Sequence, residues 1–262
     1  MPIARAGDAD IAYEVAGSGE PLLMIMGFAA DSRMWMFQTP TFAERYRCIT
    51  FDNRAVGNST GPLEGLTMEQ MASDALAVLD AEGIERAHVL GISLGGAIAQ
   101  HVALKAPERI RSLVLAATWC RRNPYLPRLG RIGTEILEQV GRESVVHASM
   151  LWLFTPKFLL EHSEMADAIE AMALDQAVHP EVFTAQQGAL FEHDVREALG
   201  SLEIPTLVIV GRRDVFVPPE LSEEIAAAIP GAEFVLLETG HAFTIEERDA
   251  FNHAVLEFLA RQ

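Results

Sequence analysis

The chain has 262 residues, half of which are hydrophobic, and its formal net charge at pH 7 is −17. This length and composition suit one sizeable folded α/β unit rather than a fibre or a disordered tail. They argue against nucleic-acid binding, because a surface that follows phosphate groups needs a basic patch.

Targeting and redox signals are absent from the sequence. Cys48 and Cys120 show neither CxxC spacing nor a disulfide framework. The N-terminal residues MPIARAGDADIAYE lack the apolar core and cleavage site of a signal peptide. No apolar run reaches the length that spans a bilayer, and PLLMIMGFAA is far too short. We therefore predict a cytoplasmic protein that has no membrane span.

Short apolar runs alternate with longer helical patterns, which is typical of βαβ units and a largely parallel sheet. The opening segments IARAG and DIAYEVAG predict a hairpin. A helix is predicted to begin at a capping box of Thr67 and Gln70 and to end at Gly83. A second helix, LGGAIAQHVALKA, ends before Pro107. Buried strands are predicted over residues 22–26, 47–52, 87–92 and 111–118.

This alternation stops at residue 119, and the pattern is helical as far as residue 200, with methionine and aromatic residues. Strands resume over 205–211 and 232–238. A final amphipathic helix carries one apolar face, formed by Phe251, Val255, Leu256 and Leu259. We predict an α/β core from residues 1–118 and 201–262, with a mostly parallel central sheet and helices on both faces. Residues 119–200 are predicted to be a helical cap inserted in this core, not an independent domain.

The stretch GISLGG places Ser93 between glycines, at the junction of a predicted strand and a predicted helix. A GxSxG match alone is weak, since chance produces one in roughly one chain in twenty of this composition. The flanking elements strengthen it, because a nucleophile elbow requires a strand before the serine and a helix after it. Gly91 and Gly95 leave room for the sharp turn, and the helix N-terminus favours a developing anion. Ser93 is therefore a predicted nucleophile.

A serine hydroxyl needs a base that accepts its proton and an acid that orients the base. Asp214 follows the predicted strand PTLVIVG, and His241 follows AEFVLLE. Both therefore lie at carboxyl ends of strands, where open sheets bind ligands. We predict a Ser93–Asp214–His241 triad, in the chain order of the strand–elbow–helix hydrolases. Four histidines of the cap lack metal-like spacing and are expected at the surface or in packing: His147, His162, His179 and His193.

The chain resembles the serine α/β-hydrolase family over essentially its whole length. Besides GISLGG, the similar segments are MGF (26–28), FDNRAVGNS (51–59), GRRDVFVPPE (211–220) and ETGHAF (238–243). The resemblance is closest to small microbial carboxylesterases and to the enol-lactonase and cofactor-free haloperoxidase branch. It implies an oxyanion hole formed by the backbone N–H groups of Phe28 and Leu94.

Two residues depart from the family pattern. Met26 stands where the family usually has a histidine that braces the oxyanion loop, and Ala55 stands where it usually has glycine. Asp52 and Arg54 are expected to hold the loop around Ala55 near the site. If that turn requires a positive φ at residue 55, alanine there costs about 1 kcal/mol.

The resemblance implies hydrolysis of a carboxylic ester or lactone of a small, largely apolar substrate through an acyl-serine. The serine at position 93 argues against dehalogenase and epoxide-hydrolase activity, because relatives with those activities carry aspartate at the elbow. No metal-ligand set and no GxGxxG loop is found, so no cofactor is expected. Four aromatic residues are candidates for the acyl pocket, although such residues on helices belong more often to a core: Trp119, Trp152, Phe154 and Phe158.

Two alternatives are open. An enol-lactonase must hold a substrate carboxylate, for which the sequence offers a cluster of Arg121, Arg122, Arg128 and Arg131, although a solvated helix face is the more common reason for such a cluster. A small-molecule receptor could instead keep the triad and turn over slowly.

Overall fold

In the computed structural model of the chain, residues 1–176 and 180–262 are described. Their strands are β1 Ile3–Ala6, β2 Ala9–Ala16, β3 Glu20–Ile25, β4 Tyr46–Phe51, β5 Ala87–Ile92, β6 Ile110–Ala116, β7 Thr206–Gly211 and β8 Glu233–Leu237. These strands form one sheet in the order β1-β2-β4-β3-β5-β6-β7-β8. β2 is antiparallel to β1 and to β4, and the other neighbouring strands are parallel. The predicted opening hairpin and mostly parallel sheet are confirmed.

The helices outside the cap are α1 Thr39–Phe42, α2 Met68–Ala81 and α3 Leu94–Lys105 before it, and α9 Pro219–Ala228, α10 Phe243–Glu246 and α11 Arg248–Leu259 after it. The cap, residues 119–200, contains α4 Leu126–Gln139, α5 Arg142–Leu153, α6 Pro156–Glu161, α7 Ser163–Asp175 and α8 Pro180–Glu192. Short 3-10 helices cover Ser32–Phe37, Pro107–Arg109 and Ala198–Ser201. Within residues 1–176 and 180–262, no helix combines the length and apolar character needed to cross a membrane.

Two apolar layers enclose the sheet because successive strand side chains point to opposite faces. On β3, Leu23 and Ile25 belong to the layer covered by α2, α3 and α9, whereas Leu22 and Met24 belong to the layer covered by α1 and α11. The predicted helices on both faces are therefore confirmed. Thr67 caps α2 by accepting the Gln70 N–H at 3.2 Å, as the capping-box pattern predicts.

The loop after β4 is held by the side chains of Asp52 and Arg54. Asp52 accepts the backbone N–H groups of Ser32 and Asn58, each at 2.9 Å. Arg54 is buried and forms a paired contact with buried Asp74, at 2.9 and 2.7 Å. Directly after Arg54, Ala55 has φ 58°, in the left-handed region that disfavours a side chain.

We predict that Ala55→Gly raises the free energy of unfolding by about 1 kcal/mol, because glycine adopts this conformation without steric cost. Ala77→Gly is the matched control, since Ala77 lies inside α2, where glycine lowers stability by roughly 0.5–1 kcal/mol. Urea unfolding followed by circular dichroism measures both variants. An Ala55→Gly variant that is less stable than the wild type would contradict strain at this position.

A buried pair of histidines joins the cap to α3. His193 donates from Nε2 to the Trp119 carbonyl at 3.1 Å, so its Nδ1 carries a lone pair. That lone pair accepts the Nε2–H of His101 at 3.0 Å. The His193 ring is therefore neutral in this arrangement, while Nδ1 of His101 lies 3.4 Å from the Glu69 carboxylate. Burial, together with the charge of a protonated His101, lowers the pKa of His193 to about 3.

We predict that this pair makes the folded protein sensitive to acid. The folded-state pKa of His193 lies below its unfolded value of 6.5. The contribution of His193 to folding stability is therefore present above pH 6.5 and is lost as pH falls toward 3. The loss is at most about 1.4 kcal/mol per pH unit. Between pH 7 and pH 4, the free energy of unfolding, measured with denaturant, should fall less in His193→Gln than in the wild type. Exposed His253→Gln is the control. Equal pH dependence in all three proteins would refute the prediction.

Candidate active site

Ser93 lies at the point where β5 ends and α3 begins, with φ 55° and ψ −118°. This left-handed backbone costs of order 1–3 kcal/mol and persists only where the surroundings fix it. The Ser93 N–H donates to the Ala116 carbonyl of β6 at 2.8 Å. Its carbonyl accepts the Thr118 hydroxyl at 2.8 Å. The neighbouring strand thus holds the elbow on both sides of Ser93.

The two glycines around the serine allow β5 and α3 to meet at this angle. A Cβ on Gly91 would lie 2.2 Å from the Gly95 carbonyl oxygen, and a Cβ on Gly95 would lie 2.1 Å from the Ile25 carbonyl oxygen of β3. Both distances are far shorter than van der Waals contact. Any larger residue at either position would therefore displace the elbow.

Asp214 and His241 come together across the ends of β7 and β8. The Oδ2 atom of Asp214 lies 2.7 Å from Nδ1 of His241. The other oxygen, Oδ1, accepts the backbone N–H groups of Phe216 at 2.8 Å and Val217 at 2.7 Å. These two N–H groups therefore fix the orientation of the carboxylate. Its other oxygen, Oδ2, contacts Nδ1 of the imidazole, so Nε2 is available to accept a proton. The Phe216 ring packs on the imidazole with centroids 5.1 Å apart.

Ser93 and His241 line the same cavity, which has a volume of about 310 Å³. The cavity lies between the core and the cap; most of its lining residues belong to the cap, and its lining is mainly apolar. No hydrogen bond joins Ser93 Oγ to the imidazole in the described chain. Such contacts often form only when substrate binds. Ser93 and His241 thus face one cavity, and Asp214 contacts the imidazole without lining that cavity.

The loop after β3 passes directly beside Ser93. A Cβ on Gly27 would lie 3.4 Å from the Ser93 Cβ and 4.0 Å from its Oγ. Neither the Phe28 N–H nor the Leu94 N–H has a hydrogen-bond acceptor among the described residues. Phe28 lines the cavity. The two predicted oxyanion donors are therefore free to bind an oxygen atom at the serine.

The prediction of four pocket aromatics is half wrong. Trp152 and Phe154 line the cavity, whereas Trp119 and Phe158 do not. Trp119 is 1% exposed and packs edge-on against His193 with centroids 5.8 Å apart. Phe158 stacks on Phe154 at 4.9 Å, behind the cavity wall. The apolar pattern of the sequence predicts which residues are buried, but it does not distinguish core residues from residues that line the cavity. It therefore missed lining residues such as Leu126, Leu137, Phe183 and Phe191.

The predicted arginine cluster does not reach the cavity. Arg121 pairs with Glu224 at 2.8 Å and Arg122 with Glu192 at 2.6 Å, both in exposed positions. Among the described lining residues, Arg142 is the one with a permanent charge. Its guanidinium donates to three backbone carbonyls at the end of α7, those of Ala173, Leu174 and Gln176.

The cap histidines differ in their surroundings. His147 lies 3.9 Å from Glu170, with half of its side chain exposed, and His162 packs on Phe158 at 5.2 Å. His193 is buried in the histidine pair with His101, and His179 lies outside the described residues. Over the described parts of the chain, no group of three or more His, Cys, Asp or Glu side chains is placed to hold a metal ion.

Comparison with known families agrees with this geometry. Residues 20–248 match the family model described as alpha/beta hydrolase fold. The chain therefore belongs to the alpha/beta hydrolase fold family, and the resemblance noted in the sequence is confirmed.

Among its relatives, a protein of Azorhizobium caulinodans named "Putative carbamate hydrolase RutD" is 34% identical over 259 residues, covering 98% of each chain. The enol-lactonase from Burkholderia xenovorans LB400 superposes with a TM-score of 0.90 at 27% identity, covering 99% of this chain and 100% of that chain. A thermophilic esterase from Thermogutta terrifontis gives a TM-score of 0.89 at 28% identity, covering 99% of this chain and 98% of that chain.

We predict that Asp214→Asn lowers turnover by up to about 10⁴ without unfolding the protein. The two backbone donors of Phe216 and Val217 would hold the amide oxygen of asparagine where Oδ1 now lies. The amide NH₂ would then face Nδ1 of His241 and place the imidazole proton on Nε2, where a base must be vacant. Turnover on an activated ester and thermal unfolding measure the two effects. Near-wild-type turnover would assign the acid to another residue.

Proposed function

We propose that the protein is a serine hydrolase that cleaves a carboxylic ester or lactone of a small, largely apolar substrate through an acyl-serine. The observation that carries the proposal is the meeting of Ser93 and the Asp214–His241 pair at one apolar cavity. The family assignment supports hydrolysis in general. The ester or lactone class and the acyl-serine route are our own inference.

In this mechanism, the Ser93 oxygen attacks the substrate carbonyl while its proton passes to Nε2 of His241. The negative charge that develops on the carbonyl oxygen is stabilised by the N–H groups of Phe28 and Leu94. The intermediate collapses, and the leaving alcohol takes the proton from His241. Water then attacks the acyl-serine and loses a proton to His241, and the acid is released as the Ser93 oxygen takes that proton back from His241. Asp214 remains ionised and orients the imidazole throughout.

The cavity lining favours an uncharged acyl group. Its walls are mainly Leu, Val, Phe and Met side chains, so burial of alkyl or aromatic carbon there is favourable. Arg142 is already bonded to carbonyl groups, and a carboxylate would have to compete with these bonds for its donors. We therefore place a medium-chain or aromatic ester ahead of a substrate that carries a carboxylate.

Three alternatives follow from the comparisons and from the fold. The structural likeness to an enol-lactonase makes a carboxylate-bearing lactone the first alternative. The name of the relative from Azorhizobium caulinodans makes a carbamate the second. Carbamate hydrolysis can use the same nucleophile, base and oxyanion donors, since the attacked centre is again a carbonyl carbon. A receptor that is acylated once and turns over slowly is the third.

A matched substrate panel tests the proposal. We expect p-nitrophenyl esters with four to eight acyl carbons to give many turnovers per protein, and Ser93→Ala to lower turnover by about 10⁴ to 10⁶. The panel also contains a carbamate of p-nitrophenol and an enol-lactone. Dialysis against EDTA should leave activity unchanged.

Other outcomes would identify the alternatives. Faster hydrolysis of the carbamate or the lactone would replace the ester proposal. Release of one p-nitrophenol per protein would indicate a receptor. A Ser93→Ala variant that keeps a tenth of the activity would overturn the nucleophile assignment.

A further inference from the structure

We propose that Gln186, on cap helix α8, is a positioning residue that holds the oxyanion loop in its working conformation. The inference rests on the proposed function, because it assigns Gln186 a part in stabilising the oxyanion. Gln186 does not line the cavity, so its role is to orient the backbone that touches the substrate.

The contact between α8 and the loop is direct. The Gln186 side chain is fully buried, and its Oε1 accepts the backbone N–H of Ala29 at 2.8 Å. Ala29 immediately follows Phe28, whose N–H is a proposed oxyanion donor. Three residues before Gln186, on the same face of α8, Phe183 packs edge-on against Phe28 with ring centroids 4.7 Å apart. One face of a cap helix thus contacts both residues of the loop.

The contact with Ala29 leaves the NH₂ group of the Gln186 amide without a hydrogen-bond acceptor among the described residues. Because Ala29 offers an N–H, the oxygen of the amide must face it, which fixes the position of Nε2. Nε2 is buried and has no hydrogen-bond acceptor among the described residues. A buried donor without an acceptor lowers stability, whereas a methionine of similar size would carry no such group. Stability alone therefore gives little reason for glutamine at this position.

The oxyanion loop contains a strained residue that contacts from outside the loop must stabilise. Ala29 has φ 51°, a conformation that a residue other than glycine adopts only when its surroundings impose it. The family resemblance places a bracing histidine at residue 26, but this chain has Met26. Asn53 anchors the start of the loop by donating to the Met26 carbonyl at 3.0 Å. Gln186 anchors its far side, so the two held peptide groups, Met26–Gly27 and Phe28–Ala29, flank the peptide that carries the Phe28 N–H.

Gln186→Met removes the acceptor and keeps the size of the side chain. We expect kcat on a p-nitrophenyl ester to fall about 10- to 100-fold, less than the 10²–10³ typical of losing an oxyanion donor outright. KM should change less than about threefold, because the loop acts mainly on the transition state. The affinity of phenylboronic acid, which forms a tetrahedral adduct with the serine, should fall in proportion to kcat/KM. The midpoint of urea unfolding should stay close to that of the wild type.

Val182→Ala is the matched control, because Val182 is a buried residue of α8 that does not line the cavity. It loosens the packing of the helix and leaves the Gln186–Ala29 bond in place. We expect it to lower stability while kcat and boronate affinity stay near wild type. A loss of kcat in Val182→Ala equal to that in Gln186→Met would overturn the positioning role. So would a Gln186→Met variant that is less stable yet retains kcat.

Hydrogen exchange of the Ala29 amide provides a readout that does not depend on the substrate. Gln186→Met should accelerate this exchange at least about tenfold, because the bond that protects the amide is lost. Unchanged exchange would overturn the inference even if no ester is hydrolysed. Wild-type protein that hydrolyses none of the panel would instead count against the proposed function. The two failures are therefore distinguishable.

Discussion

The close approach of the elbow to its neighbouring strands is the constraint on which the site depends. Gly95 lies so near the Ile25 carbonyl that even a methyl group there would collide with the end of β3. Because α3 can begin this close to β3, the loop that follows β3 runs beside Ser93 at Gly27. The strained φ of Ser93 is held by Ala116, the last residue of β6, and by Thr118, which follows that strand. Ser93 and the loop that carries the proposed oxyanion donors are therefore placed by backbone packing.

The cap also contacts the loops that carry the site. The Leu153 carbonyl, at the end of α5, accepts the N–H of Ala242, next to His241. Glu246 accepts the Thr155 N–H at 2.6 Å and the Thr239 hydroxyl at 2.8 Å, which links the start of α6 to the same loop. Gln186 contacts the oxyanion loop from α8. The helical segment that lines the cavity thus also contacts the loops that carry the proposed catalytic groups.

Sequence patterns predicted the parts of the fold that depend on local rules. Strands such as β5 were recognisable because they are buried on both faces and read as continuous apolar runs. For Ala55, the family resemblance raised a positive φ only as a condition, and the observed φ of 58° meets it. The cap was less predictable, because Trp119 and Phe154 are equally apolar and their roles are decided by tertiary packing. The contacts of Arg142 and Gln186 join segments distant in the chain, and no local pattern marks them.

Covalent labelling tests the central claim, that Ser93 is a nucleophile activated by the His241–Asp214 pair. The protein should be incubated with a fluorophosphonate, and the labelled peptide should be located by mass spectrometry. The account predicts one adduct per chain, on Ser93, and labelling should be strongly slowed in His241→Ala. Labelling at another residue, or equally fast labelling of Ser93 without the imidazole, would contradict it.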